Sequence, residues 1–165
     1  MPVIDAFLEI IDSSGNAIKG ESLDAKHKEL LQIRDFSFGV SMKASVESGT
    51  GLGAGKVEMK EFGFTVSNSK ASPTLLKYCC NGDHCQKATL YIRKATGKQD
   101  DYYIWTFKEL IITNFELSCS EDIGEKITFA YTAIASEYKQ QKQDGSLMAG
   151  VKAGWDAKEN QEFTA

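Results

Sequence analysis

Apolar side chains alternate with small or polar ones from Ile127 to Tyr138: Ile127, Phe129, Tyr131 and Ala133 fall on one face of an extended chain, Thr128, Ala130, Thr132 and Ile134 on the other. This period of two predicts a strand in a sheet whose faces meet different environments. Ala88–Lys94 and Asp101–Leu110 are rich in aromatic and β-branched residues and predict two more strands. Ala95-Thr96-Gly97-Lys98-Gln99-Asp100 reads as the hairpin turn between them. Phe36 and Phe38 alternate about Ser37, and Tyr102, Tyr103, Trp105 and Phe107 crowd one strand. The core takes one face of each; subunit contacts, which favour aromatic groups, take the remainder.

One segment predicts a helix. Ser72-Pro73 places a capping serine before a proline at the first helical position, Thr74–Cys80 supplies about two turns, and Asn81-Gly82 stops it. One short helix among many strands argues for an all-β barrel or sandwich with a single helical attachment. From Gly49 to Gly55 every second residue is glycine, so Ser48-Gly49-Thr50-Gly51-Leu52-Gly53-Ala54-Gly55-Lys56 reads as a long extended loop that a partner must order. Without a solenoid repeat or a long linker, the 165 residues are expected to form one domain.

Composition narrows the function classes. A hydrophobic share of 42% and a charged share of 25% suit a folded soluble domain. No apolar run is long enough to span a bilayer, and Met1-Pro2-Val3-Ile4-Asp5 lacks the look of a secretory leader, so neither membrane insertion nor the general secretory route is expected. A net charge of −4 with dispersed lysines argues against nucleic acid.

Candidate chemistry is sparse. Gly55-Lys56 invites a phosphate-loop reading, but Thr50 stands at the first glycine position and Val57 follows the lysine. Cys79-Cys80-Asn81-Gly82-Asp83-His84-Cys85 gathers zinc-type ligands, yet adjacent cysteines on a helix point about 100° apart and only Cys119 follows downstream. Reduced thiols packed at a helix end are the expectation. The two histidines, His27 and His84, offer no convergent nucleophile and base. No catalytic residue, metal or cofactor is expected.

Two motifs near the ends carry a family resemblance. Gly20-Glu21-Ser22-Leu23-Asp24-Ala25-Lys26-His27-Lys28 matches the form Gly-Glu-Ser-x-Asp-x-x-His-Lys, and Gly154-Trp155-Asp156 with Asn160 stands near the finish. With Lys56–Val66, Ser72-Pro73 and Ile127–Tyr138 in order between them, the chain resembles the haemolysin-coregulated protein (Hcp) family, the tube protein of bacterial type VI secretion.

The resemblance implies a compact β-barrel subunit that closes head to tail into a hexamer, whose rings stack into a tube driven out by a contractile sheath behind a spike. It implies that Ser48–Lys56 reaches the neighbouring ring, that small effector proteins ride in the lumen, and that the protein is cytoplasmic before firing and secreted after it. The small face of Thr128, Ala130 and Thr132 is a candidate lumen lining. His27, inside the motif, is expected to make a hydrogen bond that fixes the turn beside the first strand, and Trp155 to pack against the body and pin the tail. Two other readings stand beside this one: a monomeric barrel that binds a small ligand, and a phage-type tail-tube protein.

Overall fold

A computed structural model describes residues 4–47, 51–94 and 100–165. Its strands are β1 (Ile4–Asp12), β2 (Leu31–Glu47), β3 (Gly51–Val66), β4 (His84–Lys94), β5 (Asp101–Cys119), β6 (Ile123–Ala130), β7 (Ala133–Tyr138), β8 (Val151–Asp156) and β9 (Gln161–Glu162). A single helix among the described residues, α1 (Ser72–Asn81), joins β3 to β4. All pairings are antiparallel, and the order β4-β1-β2-β3-β6-β5 returns to β4, so six strands close a barrel. The expected all-β barrel with one short helix is what the chain forms.

The predicted strand 127–138 divides in two. Glu109 of β5 adopts a left-handed backbone (φ 52°), and opposite it Tyr131 and Thr132 leave the ladder. On one side of this break β6 takes β3 as its second neighbour; on the other β7 takes β8. The break thus lets one long hairpin serve both the barrel and the outer extension β7-β8-β9. The alternation is otherwise as read: Ile127, Phe129, Tyr131 and Ala133 are buried. Ile134, on the opposite face, is buried as well.

Aromatic side chains fill the barrel. Phe62 stacks on Phe129 at 4.8 Å, Phe107 meets Phe62 edge-on at 5.0 Å and Tyr131 at 4.9 Å, and Phe38 meets Phe107 at 5.2 Å. Such offset and edge contacts add specific geometry to the large apolar area each ring removes from water.

The helix starts differently from the expectation. Ala71 is the N-cap and makes no side-chain cap, while Pro73 falls in the first turn as predicted. Ser72 Oγ instead donates to the buried Glu125 at 2.7 Å and accepts from Ser69 N at 3.0 Å, tying the helix to the barrel end. Gly82, left-handed at φ 72°, ends the helix where the sequence placed the stop. The predicted hairpin turn 95–100 lies outside the described residues except for Asp100.

The glycine-rich segment is extended, and it is also paired. Gly51–Lys56 belongs to β3, with Glu47 opposite Gly51, Ser45 opposite Gly53 and Ala44 opposite Ala54; Ser48, Gly49 and Thr50 lie outside the described residues. Alternating glycines weaken a strand, but ladder hydrogen bonds need no side chain. At a bulge Lys43 faces both Gly55 and Lys56, and a Cβ at Gly55 would stand 2.8 Å from the Lys43 carbonyl oxygen. Glycine there lets the strands close up.

Candidate functional site

The first motif is a strap laid across the outside of β1, β4 and β5. Gly20 N donates to Glu29 O at 2.8 Å and Glu29 N to Ser22 O at 2.8 Å, so the segment doubles back on itself. A Cβ on Gly20 would meet the Leu30 carbonyl oxygen at 2.7 Å, which explains the glycine. Ser22 is buried and its Oγ accepts from Asp24 N at 3.2 Å; Glu21 reaches away and accepts from Lys70 N at 3.1 Å. Lys28 is exposed.

Asp24 and His27 hold the strap down. Asp24 Oδ1 accepts from Lys26 N, His27 N and Arg93 Nη1 at 3.0–3.1 Å, and its Oδ2 accepts from Arg93 Nη2. Chiefly the Arg93 guanidinium, helped by those two backbone N–H groups and opposed by partial desolvation, holds the Asp24 carboxyl down to about 2. Arg93 is 3% exposed, lies over the Phe7 ring at 4.8 Å, and has Asp5 Oδ2 3.6 Å from its Nε. His27 is buried between Phe7 (4.9 Å) and Tyr91 (4.5 Å), and its Nε2 donates to both Asp101 carboxylate oxygens at 2.9 Å. The expected turn-fixing hydrogen bond is therefore a bond to the start of β5. This cluster is a packed lock that ties the strap to β1, β4 and β5.

The second motif fixes the tail. Gly154 lies in β8 against Ala135 of β7, and a Cβ there would stand 2.2 Å from Phe163 O and 2.7 Å from Ala135 Cβ. Phe163 N donates to Gly154 O at 3.2 Å, and Lys108 Nζ sits 4.2 Å from the Phe163 ring centre. Asp156 Oδ1 accepts from Lys158 N and Glu159 N at 2.9 and 3.0 Å, shaping the turn that Asn160 completes at φ 54°. Trp155 is half-buried between Ile134 and Glu162 in neighbouring strands, so it acts from within the sheet.

The remaining candidates are scattered. Thr128 and Ala130 point outward from β6 and Thr132 sits at the break; all three are half-buried. Thr128 lies in a row with Gly63 and Asn114, its Oγ1 2.7 Å from Thr113 Oγ1. Cys85 is buried, and desolvation, with Asp12 and Asp83 adding to it, pushes its thiol up to about 11, the behaviour of an inert apolar residue. Cys79 is half-buried, whereas Cys80, His84 and Cys119 are exposed. Among the described residues no three acidic, cysteine or histidine side chains gather as a metal site.

Two features escaped the sequence reading. Arg93 was legible only as one lysine-flanked cation in a strand, and nothing local signals that it is buried beneath the strap. The barrel end between β2 and β5 opens into an apolar cleft of about 560 Å³ lined by Ile33, Phe36, Phe38, Ile92, Tyr103 and Trp105.

Comparison with known proteins gives a consistent result. Residues 7–138 match the family model described as type VI secretion system effector, Hcp. Protein hcp1 of Pseudomonas aeruginosa is 36% identical over 162 residues, 95% of this chain and 97% of that protein. Hcp1 from Salmonella typhimurium superposes with a TM-score of 0.77 at 31% identity, covering 98% of this chain and 99% of that one. A type six secretion system protein reaches 0.87 at 27% identity over 97% and 99%. A type VI secretion system effector from Yersinia pestis reaches 0.72 at 29% over 92% and 98%.

Proposed function

This chain belongs to the Hcp family of type VI secretion tube proteins, structural subunits rather than enzymes, and from that premise we propose that it acts as a single-domain subunit whose copies close head to tail into hexameric rings. The rings stack into the inner tube, which a contractile sheath expels behind a spike. Small effector proteins travel in the bore. The subunit waits in the cytoplasm and leaves with the tube; no helix among the described residues is long and apolar enough to cross a membrane.

The observation that carries this reading is family similarity along nearly the whole chain. The architecture supports it: heterologous contacts that close make rings, and rings with complementary faces make tubes. A two-stranded arm formed by β2 and β3 projects from the barrel and suits the contact between stacked rings, the role proposed for Ser48–Lys56. The outward face of Thr128, Ala130 and Thr132, small and uncharged, suits the bore, and the strap and tail motifs suit rigid support of the subunit. Export is the test. The protein is expected in the culture medium of cells with an intact sheath and absent from it when the sheath gene is deleted; equal amounts in both would overturn the assignment.

A further inference from the structure

The strap is held to the barrel by ionisable side chains, while its backbone bonds to itself. Gly20 N donates to Glu29 O across the neck at 2.8 Å, Glu29 N to Ser22 O at 2.8 Å, Ser22 N to Leu30 O at 3.2 Å and Leu30 N to His27 O at 3.4 Å. Among the described residues no backbone–backbone bond joins 21–28 to β1, β4 or β5. The attachments run instead from Asp24 to Arg93, from Lys26 Nζ to Asp100 Oδ1 at 2.9 Å, from His27 Nε2 to Asp101 at 2.9 Å and from Lys70 N to Glu21 Oε1 at 3.1 Å. Lifting this segment therefore breaks no ladder bond of the barrel.

Apolar burial within the segment is slight as well. Across 21–28 the buried residues are Ser22 and His27, whereas Leu23 is 92% exposed and Ala25 is exposed. The apolar surface belongs to the wall beneath. Phe7 alternates with the core residues Ala6 and Leu8 and so points out of the barrel, yet it is 1% exposed, with the His27 ring at 4.9 Å and the Arg93 guanidinium at 4.8 Å. Both ends of the strap are pinned: Ile18 is buried and its N donates to Ile10 O at 2.8 Å, and Leu31 is buried at the start of β2. At the neck Glu29 has a left-handed backbone (φ 61°), a conformation that concentrates at clamps and switch segments. Few buried apolar groups, mostly ionic attachments and pinned ends are the marks of a segment that opens below the global unfolding limit.

We propose that residues 21–28 form a lid that lifts from the barrel wall as a unit, pivoting at the Gly20–Glu29 neck, while the barrel strands stay paired. Closed, Asp24 and His27 plug a patch made of Phe7, Tyr91 and Arg93; open, that patch presents two aromatic rings and a guanidinium to whatever surrounds the subunit. The lid belongs to the single subunit and does not depend on ring assembly.

The chain carries its own reporters for the test. Of its two histidines His84 is exposed and His27 lies under the strap, and Cys85 is buried in the barrel core. Diethyl pyrocarbonate acylates imidazoles that it can reach and a maleimide alkylates thiols. Peptide mass spectrometry of the full chain reads initial rates at each site, and division by the rates in the urea-unfolded chain gives protection factors. We expect His27 to be far more protected than His84 but at least about tenfold less protected than Cys85. Ile127→Val, a conservative change in the core, should lower the protection of Cys85 severalfold and leave that of His27 unchanged. Asp24→Asn should lower the protection of His27 at least about tenfold, and an unchanged value would overturn the ionic hold. If Ile127→Val lowers the protection of His27 and Cys85 in step, the strap leaves only with the barrel and the lid is overturned; if His27 reacts as fast as His84, there is no closed state and the lid is overturned too.

Discussion

Asp24 and Arg93, 69 positions apart in sequence, meet side-on beneath the strap, with Arg93 Nη1 3.0 Å from Asp24 Oδ1 and Arg93 Nη2 on Oδ2. The pair joins the first motif to the middle of the barrel wall. Because Arg93 is buried, removing the carboxylate would strand its charge. Asp24→Ala is expected to cost about 2 kcal/mol, below the figure for a fully buried pair because Asp24 still borders solvent. Denaturant unfolding of the two proteins reads the difference, and an unchanged midpoint would remove the pair from the account.

The same pair sets a pH dependence. Asp24 is held at about 2 in the folded protein, below the ordinary 3.8, so its ionised form favours folding. That contribution is complete above about pH 4 and is lost as the pH falls toward 2. Melting temperatures of the parent and Asp24→Asn should therefore converge between about pH 4 and pH 2. A gap that stays constant over that window would show that the carboxylate's charge contributes nothing.

Gly154→Ala introduces a methyl group where the Phe163 carbonyl oxygen and the Ala135 side chain already stand. Strand β9 and the tail must move, at a cost of roughly 1–3 kcal/mol. Hydrogen exchange is the sensitive readout: the amide of Phe163 should lose protection while β1 and β4 keep theirs. Protection at Phe163 equal to that of the parent would contradict the close packing.

Shortening the arm tip by removing Gly51–Gly55 should leave single rings intact and prevent tubes and export. Electron micrographs and culture medium from the same strain report both. Normal export by such a variant would sink the ring-to-ring role given to Ser48–Lys56.

What could be read from the chain, and what could not, follows from the range of the interactions. Alternation in 127–138 and the Ser-Pro to Asn-Gly span of α1 are local signals, and both placed real elements. The break at Tyr131–Thr132 was hidden because its cause, the left-handed Glu109, lies across the sheet in β5. The glycine run reads as loop by propensity, whereas pairing with β2 overrides propensity. Ser72 has the residue type of a cap, but the buried Glu125 claims its hydroxyl. The motif residues were found by resemblance. Their physical reasons are long-range: His27 to Asp101, Asp24 to Arg93, Gly154 to the Phe163 carbonyl.

Assembly is the central claim, and mass in solution tests it most directly. Light scattering on a sized peak, with electron microscopy of the same fraction, should find a particle near six times 18.2 kDa, about 109 kDa, with a central hole. A monodisperse 18.2 kDa monomer at micromolar concentration would contradict the ring and turn the apolar cleft into the pocket of a ligand-binding barrel.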